Sequence, residues 1–131
     1  MTNDEFIRRV IGRPWANRAC SFSQMDCWGL VVLYYRHVLN KELHHIPGYE
    51  SESDFVTCYM QERAHWQKVI YLVKGCLAVF YRGEYPSHVG VMISPGKCLH
   101  SRGEQGFVRI DSPLTLTKVY QRVEYLKYGE I

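Results

Sequence analysis

Asp26-Cys27-Trp28-Gly29-Leu30-Val31-Val32-Leu33-Tyr34 is the stretch whose reading decides the fold. Asp26 is an N-cap residue type, able to accept a first-turn backbone N–H on its side chain. Leu30, Val31, Tyr34 and Val38 then recur at helical spacing and form one apolar stripe. The pattern predicts a helix over 27–39, ended by Asn40. Cys27 therefore falls at a helix N-terminus. Unpaired N–H groups and the helix dipole favour an anion there, so the spacing predicts a stabilised thiolate.

Upstream, Thr2 and Glu5 make a T-x-x-E capping box, and Phe6, Val10 and Ile11 follow near helical spacing. This predicts a short helix over 3–11. Gly12 and Pro14 stop it, and 12–25 reads as loop. Downstream, 40–52 reads as a connector and 53–64 as a third helix opened by Ser53 or Asp54. The pattern then changes. Val69–Leu72, Cys76–Tyr81, His88–Ile93, Lys97–Ser101, Phe107–Ile110 and Val123–Tyr128 are β-prone runs. Gly75, Gly83, Pro86 and the Pro95-Gly96 turn punctuate them. A short helix is expected over 113–119. Helices first and a meander of strands afterwards predict an α+β domain. The 131 residues suit one domain, 1–131, with no internal repeat.

The net charge of +3 comes without a dense Lys/Arg block, which argues against nucleic-acid binding as the main task. The apolar run from Leu30 to Leu33 is far too short to span a membrane. The first residues, Met1 to Glu5, are acidic and lack an apolar signal core, so synthesis in the cytoplasm without a signal peptide is expected. Five cysteines, an odd count without C-x-x-C, predict neither a disulfide framework nor a zinc site. No metal or cofactor is expected. The ten Tyr, three Trp and five Phe read mainly as core and sheet packing, with part of the excess suited to a partner surface.

Three residues could carry chemistry. Cys27 is the nucleophile candidate, and only its thiolate would be strongly nucleophilic. Gly29, in the same helix, costs roughly 1 kcal/mol against Ala, which a strand approaching the helix closely would justify. A free cysteine is also commonly a small core residue, and local physics leaves both readings open. The run from Ser87 to Ser101 reads as a hairpin with His88 early in its first strand and His100 late in its second. A base and a group that orients it would suit these positions; two half-exposed strand histidines would fit them equally. A tight turn at Pro95-Gly96 does not set the two rings opposite each other, so twist or a bulge must bring them together. His37, His44, His45 and His65 read as structural. Cys98-x-His100 lacks the further ligands a metal would need.

Three segments together resemble one family. Asp26-Cys27-Trp28-Gly29-Leu30-Val31 is similar to the D-C-x-G-L-V nucleophile motif of NlpC/P60 cysteine peptidases. His88-Val89-Gly90-Val91 resembles their H-V-G-[IV] base motif. Lys97-Cys98-Leu99-His100-Ser101 resembles the segment that supplies their third polar residue. The resemblance spans roughly 11 to 128. It implies a papain-like fold, with Cys27, His88 and His100 as catalytic residues and Asp26 near the substrate amine. The implied reaction cuts D-γ-glutamyl–diaminopimelate-type bonds in peptidoglycan stem peptides. Trp28 and the basic, aromatic run from Val119 to Tyr128 look more like the bacteriophage tail or gene-transfer-particle branch. That implies tail proteins as partners, a place in a virion, and action in the periplasm or cell wall. Two other roles fit the same fold: a structural tail-tip subunit with reduced catalysis, and an amidase or acyltransferase. One departure stands out. Trp15, in Gly12-Arg13-Pro14-Trp15, occupies a position where the family commonly has a Tyr near the oxyanion. Its indole N–H can donate in place of the hydroxyl. Loss of such a donor costs ~10²–10³ in rate.

Overall fold

The computed structural model describes residues 1–43, 66–69, 74–103 and 106–128. The helix expected over 53–64 and the strand positions 70–72 lie outside them. The first helix, α1 (Asn3–Val10), is capped by Thr2, whose hydroxyl accepts the Glu5 N–H at 3.1 Å. Phe6 and Val10 are buried. Ile11, expected on the same apolar face, is instead the C-cap and stands 43% exposed. The backbone has already turned extended there (ψ 133°), which swings the side chain outward.

The second helix, α2 (Cys27–His37), begins at the predicted residue. Asp26 Oδ1 accepts the Gly29 N–H at 2.7 Å. Val38 is the C-cap, and Asn40 takes a left-handed φ of 57°, a conformation Asn tolerates just past a helix. The sequence predicted one buried stripe. Every residue from Trp28 to Tyr35 is buried instead, as expected for a helix enclosed on all sides. The α1 side reaches it through Phe6, edge-on to Tyr34 with centroids 5.3 Å apart, and through Asn3, which accepts the Tyr34 hydroxyl at 2.7 Å. The other side packs on a sheet.

That sheet has six strands: β1 (Trp66–Val69), β2 (Leu77–Arg82), β3 (Tyr85–Ser94), β4 (Lys97–Ser101), β5 (Val108–Asp111) and β6 (Arg122–Tyr128). Their order is β1-β6-β2-β3-β4-β5, and every neighbouring pair is antiparallel. The first strand begins earlier than the sequence suggested. Trp66 anchors its start, edge-on to Tyr35 and Tyr128 with centroids 5.3 and 4.9 Å away. Strand alternation divides the sheet's side chains. Leu77, Val79, Val89, Val91, Leu99 and Leu126 join the core that holds α1 and α2. Ala78, Phe80, Met92 and Cys98 join a second cluster with Leu116 and Tyr120. Leu116 belongs to α3 (Pro113–Leu116), opened by a Ser112 cap and shorter than the 113–119 expected. Among the described residues, no helix is long and apolar enough to cross a membrane.

The β3–β4 hairpin settles where the two histidines go. At the turn Ser94 pairs with Lys97, and continuing that register would pair His100 with Val91. A bulge at Ile93 shifts it, so that Met92 pairs with Cys98 and Val91 with Leu99. Paired residues share a face, and a one-residue shift exchanges the faces. With the bulge, His88 and His100 lie on one face. Of the two devices the sequence left open, twist or a bulge, the bulge is present.

Candidate active site

Cys27 opens α2, and its position rests on the loop before it. The Ala19 carbonyl accepts the Asp26 N–H at 3.1 Å. It also occupies the space beside Gly29, where an added Cβ would lie 2.1 Å from the Ala19 oxygen. The sequence expected a strand to press on Gly29; a loop carbonyl does so. Asp26 is 6% exposed and ties the corner together, accepting from Gly29 N at Oδ1 and from Arg18 N, at 2.8 Å, at Oδ2. Those two bonds give it a capping role. From the sheet side, the buried Ser101 hydroxyl donates to the Met25 carbonyl at 2.7 Å. This bond pins the strand that carries His100 to the turn that carries Cys27.

His88, His100 and Asp111 form a continuous row. His88 Nε2 lies 2.9 Å from His100 Nδ1, and His100 Nε2 lies 2.8 Å from Asp111 Oδ2. Arg109 closes the row on the far side, with Nε 2.7 Å from Asp111 Oδ2 and Nη2 3.2 Å from Oδ1. Gly90 makes the close approach of β4 possible. A Cβ there would fall 2.4 Å from Cys98 Sγ, 2.8 Å from the Leu99 oxygen and 3.0 Å from His100 Cβ.

The charges along the row fix its protons. Burial alone would raise Asp111, but His100 and Arg109 outweigh it and hold the carboxyl below its usual range. Asp111 is therefore an acceptor, and His100 Nε2–H donates to it. Burial depresses His100 despite that carboxylate, so the ring is neutral and its Nδ1 carries a lone pair. His88 is depressed well below its ordinary value by burial, then by His100 and Arg102. Its Nε2–H consequently donates to His100, and its Nδ1 is left as a base.

Cys27 differs from its sequence expectation. Burial pushes the thiol up, and the Asp26 carboxylate pushes the same way. Backbone N–H groups of Val89, Trp28 and Cys27 pull it down and do not prevail. The resting group is a thiol, not the thiolate a helix N-terminus suggested. The cap itself explains part of this, because Asp26 has already placed a negative charge at that end of α2. The Val89 N–H that faces the sulfur belongs to the residue after His88, which brings α2 and β3 to one site.

Two residues in this site went unread in the sequence. Asp111 lies in Val108-Arg109-Ile110-Asp111, which resembles any alternating edge strand; only the pairing of His100 with Arg109 sets the carboxylate diagonally across from the ring. Tyr120 stacks on His88 with planes 8° apart and centroids at 5.5 Å. It is 6% exposed and close enough to Cys27 for ionisation of one group to oppose that of the other. Nothing local marks it among ten tyrosines. Trp15 is half-buried, and its backbone N–H donates to the Gly106 carbonyl at 3.0 Å. Among the described residues, no three His, Cys, Asp or Glu side chains gather as a metal-holding group.

A cysteine on the first turn of a helix, laid on an antiparallel sheet bearing a His–His–Asp row, defines a papain-like α+β protein. The chain belongs to the NlpC/P60 family, whose model matches residues 12–125. No curated protein sequence matches it. Solved structures share the fold at low identity. The NlpC/p60 domain of the peptidoglycan hydrolase SagA superposes with a TM-score of 0.67 at 18% identity, covering 94% of this chain and 92% of that one. NlpC1 from Trichomonas vaginalis gives 0.71 at 15%, over 95% of this chain and 42% of that one. An NlpC/P60 family protein from Bacillus cereus gives 0.69 at 21%, over 98% and 40%. The chain thus spans less than half the length of the last two.

Proposed function

We propose that the protein is a cysteine hydrolase that cuts D-γ-glutamyl–diaminopimelate-type amides in peptidoglycan stem peptides. The observation that carries this reading is the proton row, which leaves His88 Nδ1 as a base on the residue before Val89, whose N–H faces the Cys27 sulfur. SagA, a structural relative, is described as a peptidoglycan hydrolase, which supports the substrate class.

In this reading the thiol is neutral at rest, so deprotonation accompanies attack. His88 Nδ1 takes the proton as Cys27 Sγ bonds to the amide carbon. The Cys27 backbone N–H, with the Trp15 indole as second donor, holds the oxyanion. The imidazolium is steadied through His100 by Asp111. It then protonates the leaving amine as the C–N bond breaks. Water, deprotonated by the same nitrogen, cleaves the thioester and restores the thiol. The domain acts as one unit, made in the cytoplasm and carried in a phage tail or gene-transfer particle; Trp28 and the Val119–Tyr128 run support that setting.

Purified peptidoglycan tests the chemistry. The wild-type chain is expected to release fragments with a new diaminopimelate amine, seen by mass spectrometry, and Cys27→Ala to release none above background. A Cys27→Ala protein that digests as well as wild type would sink the proposal. Immunodetection in purified particles tests the setting, and absence from them would remove it.

A further inference from the structure

We propose that Tyr120 is a positioning residue: its ring holds the plane of the His88 imidazole, so that one nitrogen stays at His100 and the other stays free as the base. This deepens the hydrolase reading above and rests on it. The Tyr120 and His88 rings lie nearly parallel, 8° apart, with centroids at 5.5 Å, an offset stack. Phe80, which pairs with His88 across β2 and β3, completes a triangle, its centroid 5.9 Å from His88 and 5.6 Å from Tyr120. Phe80 thus backs both rings. Tyr120 is itself fastened on either side. Its backbone N–H donates to the Leu116 carbonyl at 3.0 Å, and the Gln121 N–H donates to the Tyr81 carbonyl at 2.8 Å. The Arg82 and Arg102 guanidinium carbons stand 5.1 and 5.7 Å from its ring centroid, within reach of cation–π attraction.

The bond to His100, at 2.9 Å, holds the His88 ring at one point. A half turn about its Cβ–Cγ bond would break that contact and put ring carbons where Nδ1 and Nε2 stood. A C–H would then stand in place of the base. A parallel ring against one face obstructs the turn, because the imidazole must sweep through the space the phenol fills. In the reading above, His88 Nδ1 takes the thiol proton, gives it to the leaving amine and later takes a proton from water. Each step needs that nitrogen in one place, and a misplacement of about 1 Å can cost roughly 10²-fold in rate. The flat face of Tyr120 does this holding, and its hydroxyl has no part in it.

Tyr120→Leu and Tyr120→Met fill part of the space without offering a flat face. Urea titration shows that each is folded, and with two variants the failure of one leaves the other to report. On a stem-peptide substrate kcat should fall by roughly 10- to 100-fold, with KM little changed. Tyr120→Phe, which returns the ring, should recover most of the loss. Nitrogen NMR on the full chain with labelled histidine reads the His88 ring directly, its signals assigned through His88→Gln. In the wild-type chain one His88 nitrogen should be protonated and the other bare, with well-separated shifts. Without the flat face the ring leaves His100 and exchanges tautomers through water, so the two shifts should converge. Tyr120→Phe should keep them apart. A merely structural residue would lower stability without moving these shifts. Shifts that stay separate in Tyr120→Leu and Tyr120→Met overturn the proposal, as does an undiminished kcat, or a Tyr120→Phe chain as impaired as Tyr120→Leu. If the wild-type chain cuts no stem peptide while the shifts converge as expected, the hydrolase reading fails and the hold of Tyr120 on His88 stands.

Discussion

Asp111 accepts from His100 Nε2 at 2.8 Å, and through that one bond it governs a nitrogen two rings away. An ionised carboxylate can only accept, so each donor in the row points toward it and the lone pair emerges at His88 Nδ1. Asp111→Asn keeps the size and reverses the sense. The Asn amide can donate to His100 Nε2, which lets His100 Nδ1–H donate to His88 Nε2 and moves the His88 proton onto Nδ1. The base is then already protonated at Nδ1. We predict a loss of roughly 10²–10⁴ in kcat with little change in KM, read by steady-state kinetics on a stem-peptide substrate. Unaltered kcat in Asp111→Asn would mean that the row does not set the tautomer. Cys27, His88 and His100 were legible as candidates because each sits in a short local motif. Asp111 was not, since its role arises from register alone. The protonation of Cys27 was also misjudged. A helix terminus can be read from Asp26, whereas the surroundings that raise the thiol depend on the fold, which brings Val89 of β3 to the sulfur.

Strand spacing is the corresponding variable one level up. The two histidines belong to different strands, and their contact requires β4 to lie close over Gly90. Gly90→Ala would put a Cβ 2.4 Å from Cys98 Sγ and 2.8 Å from the Leu99 carbonyl. The sulfur can turn aside, but the carbonyl belongs to the backbone. The strands must separate, at a cost on the order of 1–3 kcal/mol. The His88–His100 bond lengthens with them. Urea titration should show the destabilisation, and kcat should fall further than stability explains. A variant with wild-type midpoint and kcat would show that β4 has room to spare. Cys98→Ala in the same chain should recover only part of the loss. Of the elements themselves, α2 was legible to the residue at its start, because a capping Asp and an apolar run coincide there. The bulge at Ile93 was legible only as one of two alternatives, twist or a bulge, either of which could bring the two histidine rings together. The first strand began earlier than its β-branched residues implied, since Trp66 gains its place from Tyr35 and Tyr128, which are distant in sequence.

Over the whole molecule, the polar row is enclosed by the same packing that stabilises the fold. His88 is 3% and His100 0% exposed, and both titrate below the ordinary histidine value. In the unfolded chain each would take up a proton below about pH 6.5. In the folded chain they stay neutral to lower pH. The unfolded state therefore binds more protons, and stability must fall as pH drops below about 6.5, continuing until the folded values are reached. Asp111 adds to this lower down. Its depressed carboxyl stabilises the fold above about pH 4, and that contribution is lost as pH falls through its folded value. With two histidines the slope is at most about 2.7 kcal/mol per pH unit, large against a domain stability of about 5–15 kcal/mol. Urea midpoints should drop clearly between pH 7.5 and 5.5. The double variant His88→Gln/His100→Gln separates this pair from the other histidines, and its midpoint should depend less steeply on pH over that range. Activity should fail on the acid side as well, because an unfolding equilibrium and a protonating base act in the same direction. Equal slopes in the wild-type and double-variant chains would show that the row is not held neutral by burial, and the argument that leaves His88 Nδ1 as the base would lose its footing.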